Sequence, residues 1–259
     1  MTNQDNLGAS KIKKGILIAA LSVLVLLAVF MISFYVYVSS YSRADLDAIN
    51  DFKSIYLTKE ISVAEDRSGN LTIKAKNASP TTAIIFYPGG KVEHTSYLPL
   101  MHKCAEEGIL CIIAKMPCNL AFFNTGAAKS IKKAHPEITS WYIGGHSLGG
   151  IAASSYLKKH TDEFDGLILL GSYATADLSS SGIKALTVRG TNDGVVTKED
   201  HDKNLKNLPA GYQEAYIEGG CHAYFGMYGE QKGDGAPTVS APDQIVQTAY
   251  LIVSFINSN

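Results

Sequence analysis

The chain has 259 residues, enough for one large domain with a substantial core or two small ones, and is 46% hydrophobic and 18% charged. That balance excludes a disordered polyelectrolyte and a polytopic membrane protein. Twenty-three basic and 24 acidic residues leave a formal charge of -1, with no basic arm to gather nucleic acid, and four cysteines are too few for a disulfide scaffold.

Residues 15–38 carry no charge. At about 1.5 Å per helical residue they reach roughly 36 Å, sufficient to cross a hydrocarbon core of about 30 Å with some tilt. The stretch is longer than the apolar region of a cleaved signal peptide and ends without a small-x-small cleavage site, so it reads as a membrane anchor. Lys11, Lys13 and Lys14 precede it, whereas Arg43 beyond it is followed by Asp45 and Asp47. The positive-inside rule then places residues 1–14 in the cytoplasm and everything after the span on the extracytoplasmic side. Residues 39–60 read as a membrane-proximal linker in which Leu46, Ile49 and Tyr56 predict a short helix, and 61–259 as the folded domain.

Within that domain, short strand-like runs at 61–65 and 70–75 flank Asp66-Arg67-Ser68-Gly69, which predicts a hairpin. Runs at 83–87, 110–114, 141–144, 167–170, 185–188 and 213–217 follow, with helical stretches at 97–107, 126–135, 149–160, 198–207 and 242–255 between and after them. Strands alternating with helices predict an α/β fold, a mostly parallel sheet covered on both faces.

The run at Trp141 leads into Gly145-His146-Ser147-Leu148-Gly149-Gly150, a G-x-S-x-G motif between a strand and a helix rich in small residues. A strand turning sharply into a helix strains the serine and exposes its hydroxyl at the carboxyl edge of the sheet, and small residues two before and two after it let the backbones approach. Serine is a poor nucleophile at neutral pH and needs a base together with a group that orients the base. Both follow in order: Asp193 in Gly190-Thr191-Asn192-Asp193-Gly194, and His222 in Gly219-Gly220-Cys221-His222, a loop expected to be flexible. Asp177 is the rival acid, and His146 reads as packing. Two backbone N–H donors complete such a site: Leu148, after the serine, and Gly90 in Tyr87-Pro88-Gly89-Gly90-Lys91, with Lys91 as the alternative. Met116, Phe122, Phe123, Tyr173, Tyr224 and Phe225 follow predicted strands at their carboxyl ends and are expected to bind the apolar part of a substrate. The histidines show no metal-ligand spacing, so neither metal nor other cofactor is implied. Cys118 and Cys221 both fall at the carboxyl edge and are either bonded to each other or free thiols, whereas Cys104 and Cys111 read as small buried hydrophobes.

On these motifs, from about residue 83 to 256, the chain resembles the α/β-hydrolase superfamily, and more narrowly the small bacterial serine hydrolases related to dienelactone hydrolases. Those dienelactone enzymes use a cysteine where Ser147 stands, so their lactone substrates are not carried over. The resemblance implies hydrolysis of a small-molecule ester through an acyl-enzyme. Only 172–183 separates two predicted strands where relatives insert a helical lid, so an open site and short or medium acyl chains are expected. A peptidase, a thioesterase or a non-catalytic membrane-tethered binding module are the alternatives.

Overall fold

The computed structural model describes residues 3–258, with side chains described over 14–258, so the Lys11 and Lys13 side chains lie outside the described residues. The chain divides into two compact units, Met1–Ser40 and Tyr41–Asn259. The first is one helix, α1 (Asn3–Ser39). Its segment Lys14–Ser39 contains an 18-residue window of mean hydropathy 3.0 and is long and apolar enough to cross a membrane.

The second unit opens with α2 (Leu46–Tyr56), whose first turn is capped by Asp45 Oδ1 accepting the Ala48 N–H at 3.0 Å. Ile49 and Phe52, each 1% exposed, enter the same hydrophobic cluster as Ile73 and Met101. The Ser42 N–H donates to the Lys91 carbonyl at 2.8 Å and the Asp45 N–H to the Met227 carbonyl at 2.9 Å. The folded unit therefore begins near Tyr41, not at the expected residue 61, because the helix of the presumed linker buries its apolar face in the core.

Eight strands follow: β1 (Ile61–Glu65), β2 (Leu71–Ala75), β3 (Thr82–Tyr87), β4 (Leu110–Ile113), β5 (Ser140–His146), β6 (Gly166–Leu170), β7 (Lys184–Gly190) and β8 (Gln213–Ile217). They form one sheet in the order β1-β2-β4-β3-β5-β6-β7-β8. β2 runs antiparallel to both neighbours and every other pair is parallel. Parallel pairs need crossover connections: α3 (Leu98–Glu106), α4 (Ala127–Ala134), α5 (Leu148–Leu157) and α6 (Lys198–Leu205) lie in those that lead to β4, β5, β6 and β8, and α7 (Ala241–Asn257) comes last. The two-residue period of β3 sends Ile84 and Phe86 into a cluster with α2, α3 and α7, and Ala83, Ile85 and Tyr87 into one with α4 and α5. Both faces are thus covered.

The fold is the expected mostly parallel α/β-hydrolase sheet. Residues 171–183, between β6 and β7, contain no helix. From β3 the chain crosses to β4 on one side and then to β5 on the other, so the strand order reverses at β3 and leaves a crevice at the carboxyl ends of β3 and β5. That crevice is where Gly89, Gly90 and Ser147 come together.

Candidate active site

β5 ends at His146 and α5 begins at Leu148, so Ser147 alone makes the turn between them. Its backbone sits at φ 51° and ψ -124°, a conformation that costs a non-glycine residue about 1–3 kcal/mol and persists only where the surroundings enforce it. β6 provides the enforcement: the Ser147 N–H donates to the Leu170 carbonyl at 3.0 Å, and the Ser147 carbonyl accepts from Ser172 Oγ at 2.7 Å. A Cβ on Gly145 would lie 2.5 Å from the Tyr87 carbonyl oxygen, and one on Gly149 would collide with the same atom. The two flanking glycines are thus demanded by the backbone of β3 passing against the turn.

Asp193 and His222 meet beside this turn. His222 Nδ1 lies 2.9 Å from Asp193 Oδ2, with both side chains shielded from water. Asp193 Oδ1 is already saturated by the N–H groups of Val195 at 2.9 Å and Val196 at 2.8 Å. An ionised carboxylate only accepts, so the imidazole proton sits on Nδ1 and Nε2 keeps its lone pair. The pair crosses Gly171, on which a Cβ would lie 3.0 Å from His222 Nδ1 and 3.2 Å from Asp193 Oδ2. Gly171 directly follows the residue that binds the Ser147 N–H. Among the described residues Ser147 Oγ makes no hydrogen bond, leaving the hydroxyl available. Asp177, the rival acid, is exposed and accepts from the Ser179 N–H and hydroxyl at 3.1 and 2.7 Å.

Gly90 packs against Leu148: a Cβ on Gly90 would lie 2.8 Å from Leu148 Cδ2 and 3.2 Å from its Cβ. Among the described residues neither backbone N–H of this pair has an acceptor, whereas that of Lys91 donates to the Asn119 carbonyl at 2.7 Å. Lys91, the alternative donor, is thereby committed elsewhere. One residue earlier, the Gly89 N–H donates to the Tyr97 hydroxyl at 3.0 Å, and that hydroxyl lies 2.8 Å from His146 Nδ1. His146 is 1% exposed, and burial followed by the nearby His222 holds its imidazole well below the usual range.

The loops carrying Asp193 and His222 are tied down by residues that sequence reasoning missed. Arg189 Nη2, on β7, donates to the carbonyls of Asp193 at 3.1 Å and Val196 at 2.9 Å. Gln244, buried on α7, accepts the Cys221 N–H at 3.0 Å and donates to the Cys221 carbonyl at 2.8 Å. Asp234 accepts the N–H groups of His222, Ala223 and Gly194 at 3.1, 2.8 and 3.1 Å. The histidine loop, expected to be flexible between its glycines, is pinned on both sides. A polar Gln244 on the buried face of an amphipathic helix was a legible signal; Asp234, between two glycines, carries no local signal of this role.

The residues expected to bind substrate divide three ways. Met116 and Phe225 are core, at 3% and 0% exposure, Phe225 lying against the His146 ring with centroids 5.6 Å apart. Phe122 and Phe123 are exposed in the loop after β4, and Tyr173 and Tyr224 are half-buried. Alternation of burial along these loops, invisible to a rule based on strand ends, produces the division. All four cysteines are free thiols; Cys118 is exposed, and burial pushes the Cys221 thiol up to about 12.

A strained serine, an imidazole oriented by a buried carboxylate and two uncommitted amides are the parts that acyl transfer requires. Residues 83–246 match the model of the alpha/beta hydrolase family, and the chain belongs to that family. Among solved structures it is similar to the crystal structure of TT1662 from Thermus thermophilus, at 13% identity and a TM-score of 0.57, covering 77% of this chain and 100% of that one. Comparison with curated proteins finds no match.

Proposed function

We propose that the protein is a membrane-anchored serine carboxylesterase acting on short or medium acyl esters. The observation that carries this reading is the buried His222–Asp193 pair set beside the strained turn at Ser147. Ser147 Oγ attacks the ester carbonyl and its proton passes to His222 Nε2. The oxygen that gains negative charge accepts from the Leu148 and Gly90 N–H groups. The C–O bond then breaks, the departing alcohol takes the proton from His222, and an acyl group remains on Ser147. Water repeats the attack with His222 as base and releases the carboxylic acid.

The absence of a helix in 171–183 and the exposure of Phe122 and Phe123 favour an open, shallow site over a long acyl tunnel. The anchor is Lys14–Ser39, with the N-terminus cytoplasmic and the hydrolase unit outside. A fluorophosphonate probe labels the wild-type protein and leaves Ser147→Ala unlabelled, and butyryl p-nitrophenyl esters are cleaved faster than palmitoyl ones. Labelling of Ser147→Ala equal to wild type refutes the serine mechanism. Faster palmitoyl cleavage refutes the chain-length reading, and labelling of Lys11 from outside intact cells refutes the orientation.

A further inference from the structure

We infer that Asp234 is a positioning residue that holds the histidine loop and the acid loop in register, so that the His222 imidazole stays aimed at Ser147. This rests on the proposed hydrolase reading. Asp234 lies outside both loops, yet its Oδ1 accepts the N–H of His222 at 3.1 Å and of Gly194 at 3.1 Å, and its Oδ2 that of Ala223 at 2.8 Å. A fourth bond, from the Gly235 N–H to Oδ1 at 2.8 Å, fixes the carboxylate itself. One side chain therefore clamps Gly194, the residue after Asp193, to His222, and so ties together the loops that carry the two members of the buried pair.

The backbone around Asp234 is built for this approach. A Cβ on Gly194 would lie 2.7 Å from the Gly235 nitrogen, and one on Gly235 would collide with the Asn192 carbonyl. Asn192 Nδ2 ties the same strip to the acid loop by donating to the Ala236 carbonyl at 2.8 Å. Behind the histidine loop lies a polar hollow of about 240 Å³, bordered by Cys221, Tyr224, Glu230 and Gln231. Cys221, Ala223 and Phe225 anchor the loop in the core, and the hydrogen bonds of Asp234 hold it on the side of the hollow, which Asp234 itself borders. Burial alone would raise the Asp234 carboxyl, but the N–H groups of Ala223, Gly194, His222 and Gly235 outweigh it and hold it below the usual value, which keeps it an acceptor.

The experiment compares wild type, Asp234→Asn and Asp234→Glu in the full chain. Active-site titration with a fluorophosphonate counts competent serines, so rates are expressed per competent site and loss of folded protein drops out. Asp234→Asn turns one acceptor oxygen into a donor facing a backbone N–H. It is expected to lower kcat on p-nitrophenyl butyrate by about 10²-fold per site, the effect of displacing a reacting group by about 1 Å. KM should stay within about twofold, since binding is not what the clamp controls. The downfield proton resonance of the His222–Asp193 bond should shift or broaden in the same variant. Asp234→Glu keeps the charge and the acceptors and should recover part of the loss. Wild-type kcat per site with an unchanged downfield resonance in Asp234→Asn, or in Asp234→Ala if the former does not fold, overturns the inference while wild-type labelling leaves the hydrolase reading intact. Failure of wild type itself to react at Ser147 overturns both.

Discussion

The Tyr97 hydroxyl accepts the Gly89 N–H and donates to His146 Nδ1, 2.8 Å away, so one phenol joins the loop after β3 to the turn that carries Ser147. Burial pushes the phenol far above its usual range, so it keeps the proton it donates. Tyr97→Phe removes both bonds and leaves two buried polar groups unpaired. Stability should fall by about 1–3 kcal/mol. With Gly90 no longer held by its neighbour, kcat should fall about tenfold, less than the ~10²–10³-fold that follows loss of an oxyanion donor itself. Unfolding curves and ester hydrolysis by the variant measure the two effects separately.

The choice between the two acids is open to direct test. Asp193→Asn replaces the acceptor of the His222 Nδ1 proton with an amide and should lower kcat by about 10⁴-fold. Asp177→Asn alters only an exposed turn around Ser179 and should leave kcat within about twofold, consistent with ordinary surface substitutions. Kinetics on p-nitrophenyl butyrate decide it; a worse defect at Asp177 reverses the assignment.

Gly149→Ala should be far more damaging than its chemistry suggests. The added methyl collides with the backbone carbonyls of Tyr87 and Pro88, which no rotamer change can move aside. A loss of several kcal/mol, about 3 or more, is expected from forcing apart packed backbone. Thermal melting of the variant against wild type measures it, and a melting temperature equal to wild type contradicts the packing described.

His102 makes stability depend on pH. Among the described residues both ring nitrogens are buried without a partner, and burial, followed by the charge of Lys53, lowers its pKa to about 4. The unfolded chain takes up this proton near 6.5, so between the two values the unfolded state binds more protons and stability falls as pH drops. The loss is complete near the folded value and absent above about pH 7. His102→Phe fills a similar volume without titrating, so its stability should fall by about 2 kcal/mol less than wild type between pH 7 and 4.5. Urea unfolding at both values gives the comparison, and equal falls refute it.

The start of the folded unit predicts how truncations behave. A fragment of residues 41–259 keeps Ile49 and Phe52 in the core, whereas a fragment of 61–259 loses both. At about 1.5–3 kcal/mol for each buried side chain, the shorter fragment should be less stable by about 3–6 kcal/mol. Equal melting temperatures would mean that α2 rests on the domain without supporting it.

Local information settled a good deal of this protein. Strand-like runs bounded by Gly, Pro or polar clusters marked all eight strands, and β3 to β7 stood out most clearly because a strand buried on both faces must be apolar along its length. The order of Ser147, Asp193 and His222 was legible because each stands just past a strand end, where a parallel sheet gathers its loops. Burial of His146 was expected too, from its place inside the turn. What only the tertiary structure decided was which groups those loops lean on. Asp234 reaches His222 and Gly194 across the sheet edge, Gln244 reaches Cys221 from the last helix, and Ile49 enters the core from a segment that looked like a linker. Each of these depends on pairing between residues far apart in the chain, and hydrophobic periodicity and turn chemistry carry no record of such pairing. The same limit explains Met116 and Phe225: both follow strands in the chain, but the direction of a loop side chain is set by the neighbours it packs against.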